Sequence, residues 1–500
     1  MMRDLWVRGS WLVVLAWGSA WLAASASAQT TAPAATSQPG EFKLSTAPAE
    51  EVEKTPAEKL EEWIQKSKNP VPWFKWGADF RIREEILENV FPLDQDLHTH
   101  ENNWMRYRPR VWFTVTPVKD FELNVRAIWE PRNIFMNVPA RNPGGQTRYG
   151  WDPDYAVFDL LNFKWSHVAG LPLTITAGRQ EIALGDRWLV FDGTPLDGSR
   201  TLYLDAIRMT YDIAPIKTKA DLMYISQSAQ VTDWFPKLSH TYKEVTDQRE
   251  QGAILYVSNN SLAKTQLDGY FIYKHDQHQE GIYNAATNRK DRRTGDDADI
   301  YTFGVRQAST LTDHWSLRDE LAGQFGDKNG QHICALATLN RLTYFFNDKY
   351  SNELHMDYEF VSGDDPRTKG TNEAFDMLWG RWPRWSEMYI YTYAMDGGVA
   401  ANNNLHRIAW GWQMTPMRNM QISLDYHLLF ADENTYGGVK PGFSKSGKFR
   451  GQLLTWWLRY KFSEHLSSHV MAEVFGPGDY YTPQKNSTAA WVRWELIFSY

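Results

Sequence analysis

Cysteine is nearly absent from this chain. Cys334 stands alone among 500 residues, so no intrachain disulfide framework is available, and the thiol reads as structural or buried. Long apolar runs are missing beyond the N-terminal segment, and the mean hydropathy is −0.52. That value excludes a bundle of membrane helices. It leaves strand-built membrane proteins open, because only alternate residues of such strands meet lipid. Charge of one sign is not in excess. The net charge of −7 gives no basic footprint for nucleic acid. The usual signatures of catalysis are absent too. There is no Gly-x-Ser-x-Gly, no His-Glu-x-x-His, no phosphate-binding glycine loop and no cysteine pair. No blade-length repeat occurs, which sets aside a β-propeller. No cofactor and no metal are expected.

Aromatic residues are abundant, with 24 each of Trp, Tyr and Phe. Interfacial girdles are where a membrane barrel places them. The last strand carries the most informative pattern. Ala490, Val492, Trp494, Leu496, Phe498 and Tyr500 form one face, whereas Trp491, Arg493, Glu495 and Ser499 lie mostly on the other. A period of two with one apolar and one charged face, running to an aromatic C-terminus, is the barrel pattern.

The N-terminus reads as a secretory signal peptide over residues 1–28. Arg3 and Arg8 precede an apolar stretch from Trp11 to Leu22, and Ala26-Ser27-Ala28 is a cleavage site before Gln29. An uncleaved anchor is the competing reading. Residues 29–70 form a leader. Its first part, to about Thr55, is too rich in Ala, Pro, Thr and Glu to order itself. Pro56 to Lys68 is expected to be a short helix with Leu60, Trp63 and Ile64 on one side, either resting on the barrel mouth or serving as a loose tether.

Residues 71–500 contain about 18 strand-like runs of the length a tilted membrane strand needs. Their connections alternate short and long, as periplasmic turns and outer loops do. The fold class is therefore all-β. The expectation is a single antiparallel transmembrane β-barrel with a disordered leader, in the bacterial outer membrane. Charges alternate with apolar residues at Asp79, Arg81 and Arg83, at Arg106, Arg108 and Arg110, at Glu122 and Arg126, at His355, Asp357 and Glu359, and at Arg459 and Lys461. A charge facing lipid at mid-depth costs about 2–4 kcal/mol, so these side chains are expected to line the lumen. Arginines there suggest an anion path, because guanidinium groups hold carboxylates bidentately and stay charged. The alternative is that each arginine pairs with Glu122, Glu320, Asp357, Glu359 or Glu495 to hold the wall. For Arg81, Arg83, Arg106, Arg108 and Arg110 the pattern shows only Asp79 nearby, which favours a functional cluster.

Gly178-Arg179-Gln180, then Gly185-Asp186-Arg187, then Arg200-Thr201 with Asp205-Ala206-Ile207-Arg208, resemble the alginate export family of outer-membrane barrels. Phe375-Asp376-Met377-Leu378, with Tyr393, Asp396 and Asn404-Leu405, is similar to a second family stretch. The resemblance implies a monomeric barrel with an arginine-rich pore that passes a polyuronate. It puts Arg179 and Arg187 at or near the pore, with Asp186 fixing the turn or pairing with Arg187. From the residues themselves, Gly178 and Gly185 read as bends that let a loop fold back. The pore-lining, anion-binding candidates are Arg81, Arg83, Arg106, Arg108, Arg110, Arg126, Arg179, Arg187, Arg306, Arg318, Arg459 and Arg493.

The expected function is passive passage of an anionic polysaccharide or oligosaccharide. The expected partners are outer-membrane lipid, that saccharide and periplasmic export proteins. An uptake porin, a barrel enzyme acting on lipid or glycan, and an adhesive barrel are the alternatives. His98-x-His100 and His275-x-x-His278 are read as solvated loop histidines rather than metal sites. Asp296, Asp297 and Asp299, and Asp364-Asp365, are read as acidic loops. Asp357 and Glu359 are same-face neighbours rather than a hydrolytic pair.

Overall fold

Alternation of apolar and charged residues builds one continuous antiparallel wall. The computed structural model describes residues 56–97, 100–136, 149–153, 156–191, 203–229, 246, 248–279, 295–397 and 402–500. The proposed signal peptide, the first part of the leader, His98 and the Arg200-Thr201 motif lie outside the described residues. The wall is a closed barrel of 18 strands. It begins with β1 (Phe74–Glu88), β2 (Glu101–Val118) and β3 (Phe121–Ile128). Each strand pairs with its neighbours in sequence, and the last, Ala489–Ser499, pairs back onto β1 with Asp79 opposite Ser499 and Glu88 opposite Ala490. Closure removes every free edge, which lipid cannot solvate. Short pieces at Arg132–Met136 and Gly150–Asp152 prolong the β2 hairpin region, and Thr371–Asn372 adds to the strand Gln331–Phe345.

The faces fall as the period of two requires. Asp79, Arg81, Arg83 and Glu85 of β1 are buried toward the lumen, opposite Arg110, Arg108, Arg106 and Trp104 of β2. Phe80, Val111, Phe303, Val305 and Phe498 are exposed on the other side. Cys334 is exposed and sits opposite the outward Phe325, so the expectation of a buried thiol fails: its strand position sends it to the outer face. Aromatic rings stack across strands on that face, as at Tyr273, Tyr301 and Phe325, with centroids 5.1 and 5.3 Å apart. Trp73, Trp165, Trp315 and Phe462 stand exposed at the short-turn end, where interfacial anchors belong.

Two long connections fold inward instead of outward. Residues 181–191 place Ile182, Leu184, Trp188, Leu189 and Val190 in a buried cluster with wall residues Ile225, Ile254, Ile272 and Ile300. Phe375, Met377, Leu378 and Trp379 from residues 362–404 join the same cluster. The two segments meet where Trp379 N–H donates to Leu189 O at 3.0 Å and Trp188 stacks on Phe375 at 6.2 Å. Gly380 passes so close to the Trp188 carbonyl that any Cβ there would collide. The helix Met388–Asp396 follows, with Met388, Tyr389 and Tyr393 buried against Leu453, Met471 and Phe475. Full burial of each such side chain contributes about 1.5–3 kcal/mol.

The expected N-terminal helix is present over Pro56–Lys68. Ile64 is buried, but Trp63 is exposed, so the apolar side is narrower than its sequence suggested. Polar ties hold it instead. Glu61 bonds His465 at 2.6 Å, Trp76 Nε1 donates to Ser67 O at 2.7 Å, and the Ser67 and Tyr500 hydroxyls bond each other.

Two outcomes follow from this architecture. Val305→Arg, on the lipid face, is expected to lower barrel stability by about 2–4 kcal/mol in urea unfolding from lipid vesicles, whereas Val305→Leu leaves it unchanged. The second concerns the helix. Bonding to Glu61 and then to the Ser499 carbonyl raises the His465 pKa from 6.5. Bonds from Gln65 and then His465 lower the Glu61 pKa from 4.5. The His465 contribution is therefore full below about 6.5 and is lost as pH rises through the raised pKa, and the Glu61 contribution fades only as pH falls below about 4.5. The hydrogen-exchange protection factors of residues 61–68, taken against the intrinsic rate at each pH, should be largest between those limits and smaller at pH 8. His465→Gln should flatten the profile.

Candidate functional site: the charged interior

The arginines of β1 and β2 do come together, and carboxylates interleave with all of them. Arg81 donates to Glu130 at 2.7 Å and lies 3.6 Å from Glu495. Arg83 bonds Glu495 at 2.6 Å and lies 3.6 Å from Glu85. Arg106 reaches Glu85 at 3.2 Å and Glu130 at 2.8 Å. Arg110 grips Asp79 through Nε at 2.8 Å, and Arg108 lies 3.5 Å from the same carboxylate. Arg493 lies 3.3 Å from Glu387 and 3.8 Å from Glu85. The expectation that Asp79 is the one nearby acid is overturned. Glu85 lies further along β1, Glu130 follows β3, and Glu495 arrives from the other end of the chain through barrel closure. Arg81, Arg83 and Arg493 are at most 1% exposed. Buried guanidinium and carboxylate groups are tolerated only when matched in this way.

Other candidates are matched as well. Arg126 holds Asp159 through three bonds of 2.8, 2.9 and 3.0 Å and also bonds Glu181. Arg179 holds Asp205 at 2.8 Å, donates to Phe158 O at 2.8 Å, and lies on the Tyr203 ring at 3.6 Å. The adjacent Gly178 has φ +117°, and a Cβ there would collide with Leu161 O. Asp357 and Glu359 are bound by Arg407 at 3.1 and 3.0 Å, and Arg341 holds Asp357 at 2.6 Å. They are wall pairs, not a hydrolytic constellation. His275 and His278 bond Asp299 and Asp297 at 2.9 and 2.6 Å. Among the described residues no group of acids, histidines or thiols is set to hold a metal.

A different set of arginines reaches water. Gly185, with φ +53°, and Arg187, with φ 63°, turn the 181–191 segment back on itself. Arg187 N–H donates to Leu184 O at 2.8 Å, and Leu184 N–H donates to Val190 O at 3.1 Å. A left-handed non-glycine residue costs about 1–3 kcal/mol, so the turn depends on its packed surroundings. It presents Asp186 to Arg306 at 2.8 Å and to Arg318 at 3.9 Å, which settles its partners in favour of wall arginines. From the second in-folded segment, Arg384 donates to the Asp186 carbonyl. Arg318 and Arg341 face each other across adjacent strands and are 54% and 40% exposed. Burial lowers the Arg384 pKa, and Arg187, Arg341 and Arg318 lower it further against the pull of Asp186. Arg384 is nevertheless solvent-exposed. It therefore meets water beside Asp186, near Arg187, Arg318 and Arg341.

Arg187, Arg306 and Arg318 were legible as candidates; Arg341 and Arg384 were not singled out. Arg341 follows the alternation Leu339, Arg341, Thr343 and was readable from it. Arg384 lies in Trp382-Pro383-Arg384-Trp385, where no strand period signals orientation. Arg459 is exposed and lies on Trp457 at 4.3 Å, near the short-turn end.

The inward path of the second segment is anchored at the wall. The Glu473 carboxylate accepts Ser386 Oγ at 2.8 Å, Met388 N–H at 2.7 Å and Glu387 N–H at 3.1 Å, so a negative charge caps the helix N-terminus. At the other end Asp396 accepts Tyr481 OH at 2.6 Å and Lys485 Nζ at 2.7 Å.

Residues 150–493 match the model of the alginate export family. The chain belongs to that family. It is an outer-membrane β-barrel channel rather than an enzyme. Both sequence stretches that carried the resemblance lie inside the matched region. A search of curated proteins finds no match to the chain. Among solved structures, OccK7 of Pseudomonas aeruginosa superposes with a TM-score of 0.53 at 10% identity, covering 85% of this chain and 98% of that one. OccAB4 of Acinetobacter baumannii gives 0.52 at 10% identity, covering 86% and 100%. These likenesses are of fold.

Glu473→Ala should release the helix in this alginate-export-family barrel. Loss of its bonds to the helix start removes about 1–3 kcal/mol. Single-channel records should show larger and noisier conductance, with the barrel still resisting dissociation in cold detergent.

Proposed function

We propose that this channel passes an anionic saccharide, a carboxylated polysaccharide or oligosaccharide, past the wet arginines of its interior. The observation that carries the reading is the grouping of Arg187, Arg318 and Arg341 near Arg384, which donates to the Asp186 carbonyl, with Arg318 3.9 Å from the Asp186 carboxylate and Arg341 held by Asp357. Each arginine of the β1 and β2 ladder already touches a wall carboxylate, so the ladder serves the wall. The four arginines of the inner group share Asp186 and Asp357, and Arg318 and Arg341 are 54% and 40% exposed on a water-accessible surface. Guanidinium groups replace water around a carboxylate, and several weak contacts let a polymer slide where one tight contact would trap it. A second reading, passage of a short carboxylated solute, is favoured by how much chain is packed inside the barrel.

Planar-bilayer measurements test the proposal. The wild type should prefer anions, and an oligouronate should block its current. Arg318→Gln with Arg384→Gln should lower the anion-to-cation permeability ratio by about thirtyfold, since each charge contributes about 1 kcal/mol in a water-filled lumen and the two sum to about 2 kcal/mol. Cation preference in the wild type, or indifference to both substitutions, would refute the assignment. Block by monouronate as strong as block by a long oligouronate would favour the second reading.

A further inference from the structure

An open cavity of about 490 Å³ lies at the short-turn end of the lumen. Short turns mark the periplasmic side of such barrels. The cavity sits between the turn around Asn419 and the turn around Glu464, and Arg418, Arg459, Lys461, His465 and His469 line it. Its volume falls in the range of small-ligand sites, about 300–1,000 Å³.

The acids in its lining are already committed. Glu464 bonds Lys461 at 2.7 Å, and Glu495 bonds Arg83 at 2.6 Å. Arg418 is exposed and has no ion pair among the described residues. Arg459 donates to Gln421 Oε1 at 3.3 Å while its guanidinium lies 4.3 Å from the Trp457 ring centroid. The ring contact restrains the Arg459 side chain in the cavity lining, so less side-chain freedom is lost when it binds. His465 at the cavity edge is tied to Glu61 at 2.6 Å and to the Ser499 carbonyl at 2.7 Å, so it shapes the rim while Arg418 and Arg459 carry its charge. Ser463, Ser467 and the Asn419 amide supply neutral hydrogen-bonding groups in the same lining.

We infer that this cavity is a docking site for the carboxylate-bearing sugar units of an anionic saccharide, loaded from the periplasmic side before the chain meets the inner arginines. The inference rests on the channel reading given above and adds a second, separate place of contact. Arg418 and Arg459 bind the carboxylate, and the serine and asparagine groups bind ring hydroxyls. Contacts this exposed are weak and screened by salt. That suits a loading site, which raises local concentration and the rate of capture without holding the polymer. A passive channel gains no direction at equilibrium from such a site, but it does gain a faster entrance on one side.

The test uses the full chain reconstituted in a planar bilayer in one known orientation, with trigalacturonate as probe and maltotriose as the uncharged control. Trigalacturonate added on the short-turn side should block the wild type with a higher on-rate than from the long-loop side. Arg418→Gln with Arg459→Gln should lower the short-turn-side on-rate by about tenfold, the lower end of electrostatic steering effects. The long-loop-side rate should stay as it was, and 1 M salt should erase the difference between sides. If the double variant fails to insert, Arg418→Gln alone, at an exposed turn, should still give a smaller one-sided loss. Equal on-rates from both sides, or a variant that loses nothing, overturn the docking site while an anion-preferring wild type leaves the channel reading intact. A wild type with no anion preference and no block from either side overturns the channel reading and the docking site with it. Block by maltotriose equal to that by trigalacturonate overturns the carboxylate assignment.

Discussion

A charge facing hydrocarbon has no solvent, and that constraint arranges the rest of this protein. It sends Asp79, Arg81, Arg83 and Glu85 inward while Phe80 and Ile82 face lipid. Once inside, each charge needs a partner or water. On β1, β2 and the closing strand the partners are found among neighbouring strands, and the result is a dense ladder of ion pairs. Buried pairs of this kind add little net stability, because desolvation offsets attraction. They do penalise any slip of register, since a shift of one residue would turn every charge toward lipid.

The interior is divided into a dry part and a wet part. Two in-folded connections carry enough apolar residues, from Ile182 to Val190 and from Phe375 to Trp379, to make a packed core within the barrel. Gly380 permits their close approach, and Glu473 and Asp396 pin the helix that follows. Space left by this core is where Arg187, Arg318, Arg341 and Arg384 meet water. The same packing that narrows the lumen brings Arg187 and Arg384 toward the wall arginines Arg318 and Arg341, because Arg187 and Arg384 ride on the in-folded segments themselves.

Much of the wall was legible from the chain. The two faces of residues 489–500, the short turns and the strand number follow from a period of two and from the thickness of a bilayer. The helix Pro56–Lys68 was legible as well, though not its dependence on the Glu61–His465 bond. Family membership was readable in Gly178-Arg179-Gln180 and Gly185-Asp186-Arg187. The partners of the β1–β2 arginines are hidden from the sequence for a physical reason. Glu130 and Glu495 lie outside the alternating stretches of those two strands, and Glu495 becomes a neighbour of Arg83 only when the last strand closes on the first.

By itself, then, the amino-acid order determined which side chains face lipid and how many strands enclose the lumen, because both depend on local period and length. Tertiary structure alone decided which arginines are neutralised and which stay wet. That division depends on carboxylates hundreds of residues away and on two connections that turn inward, and neither strand period nor spacing encodes either one.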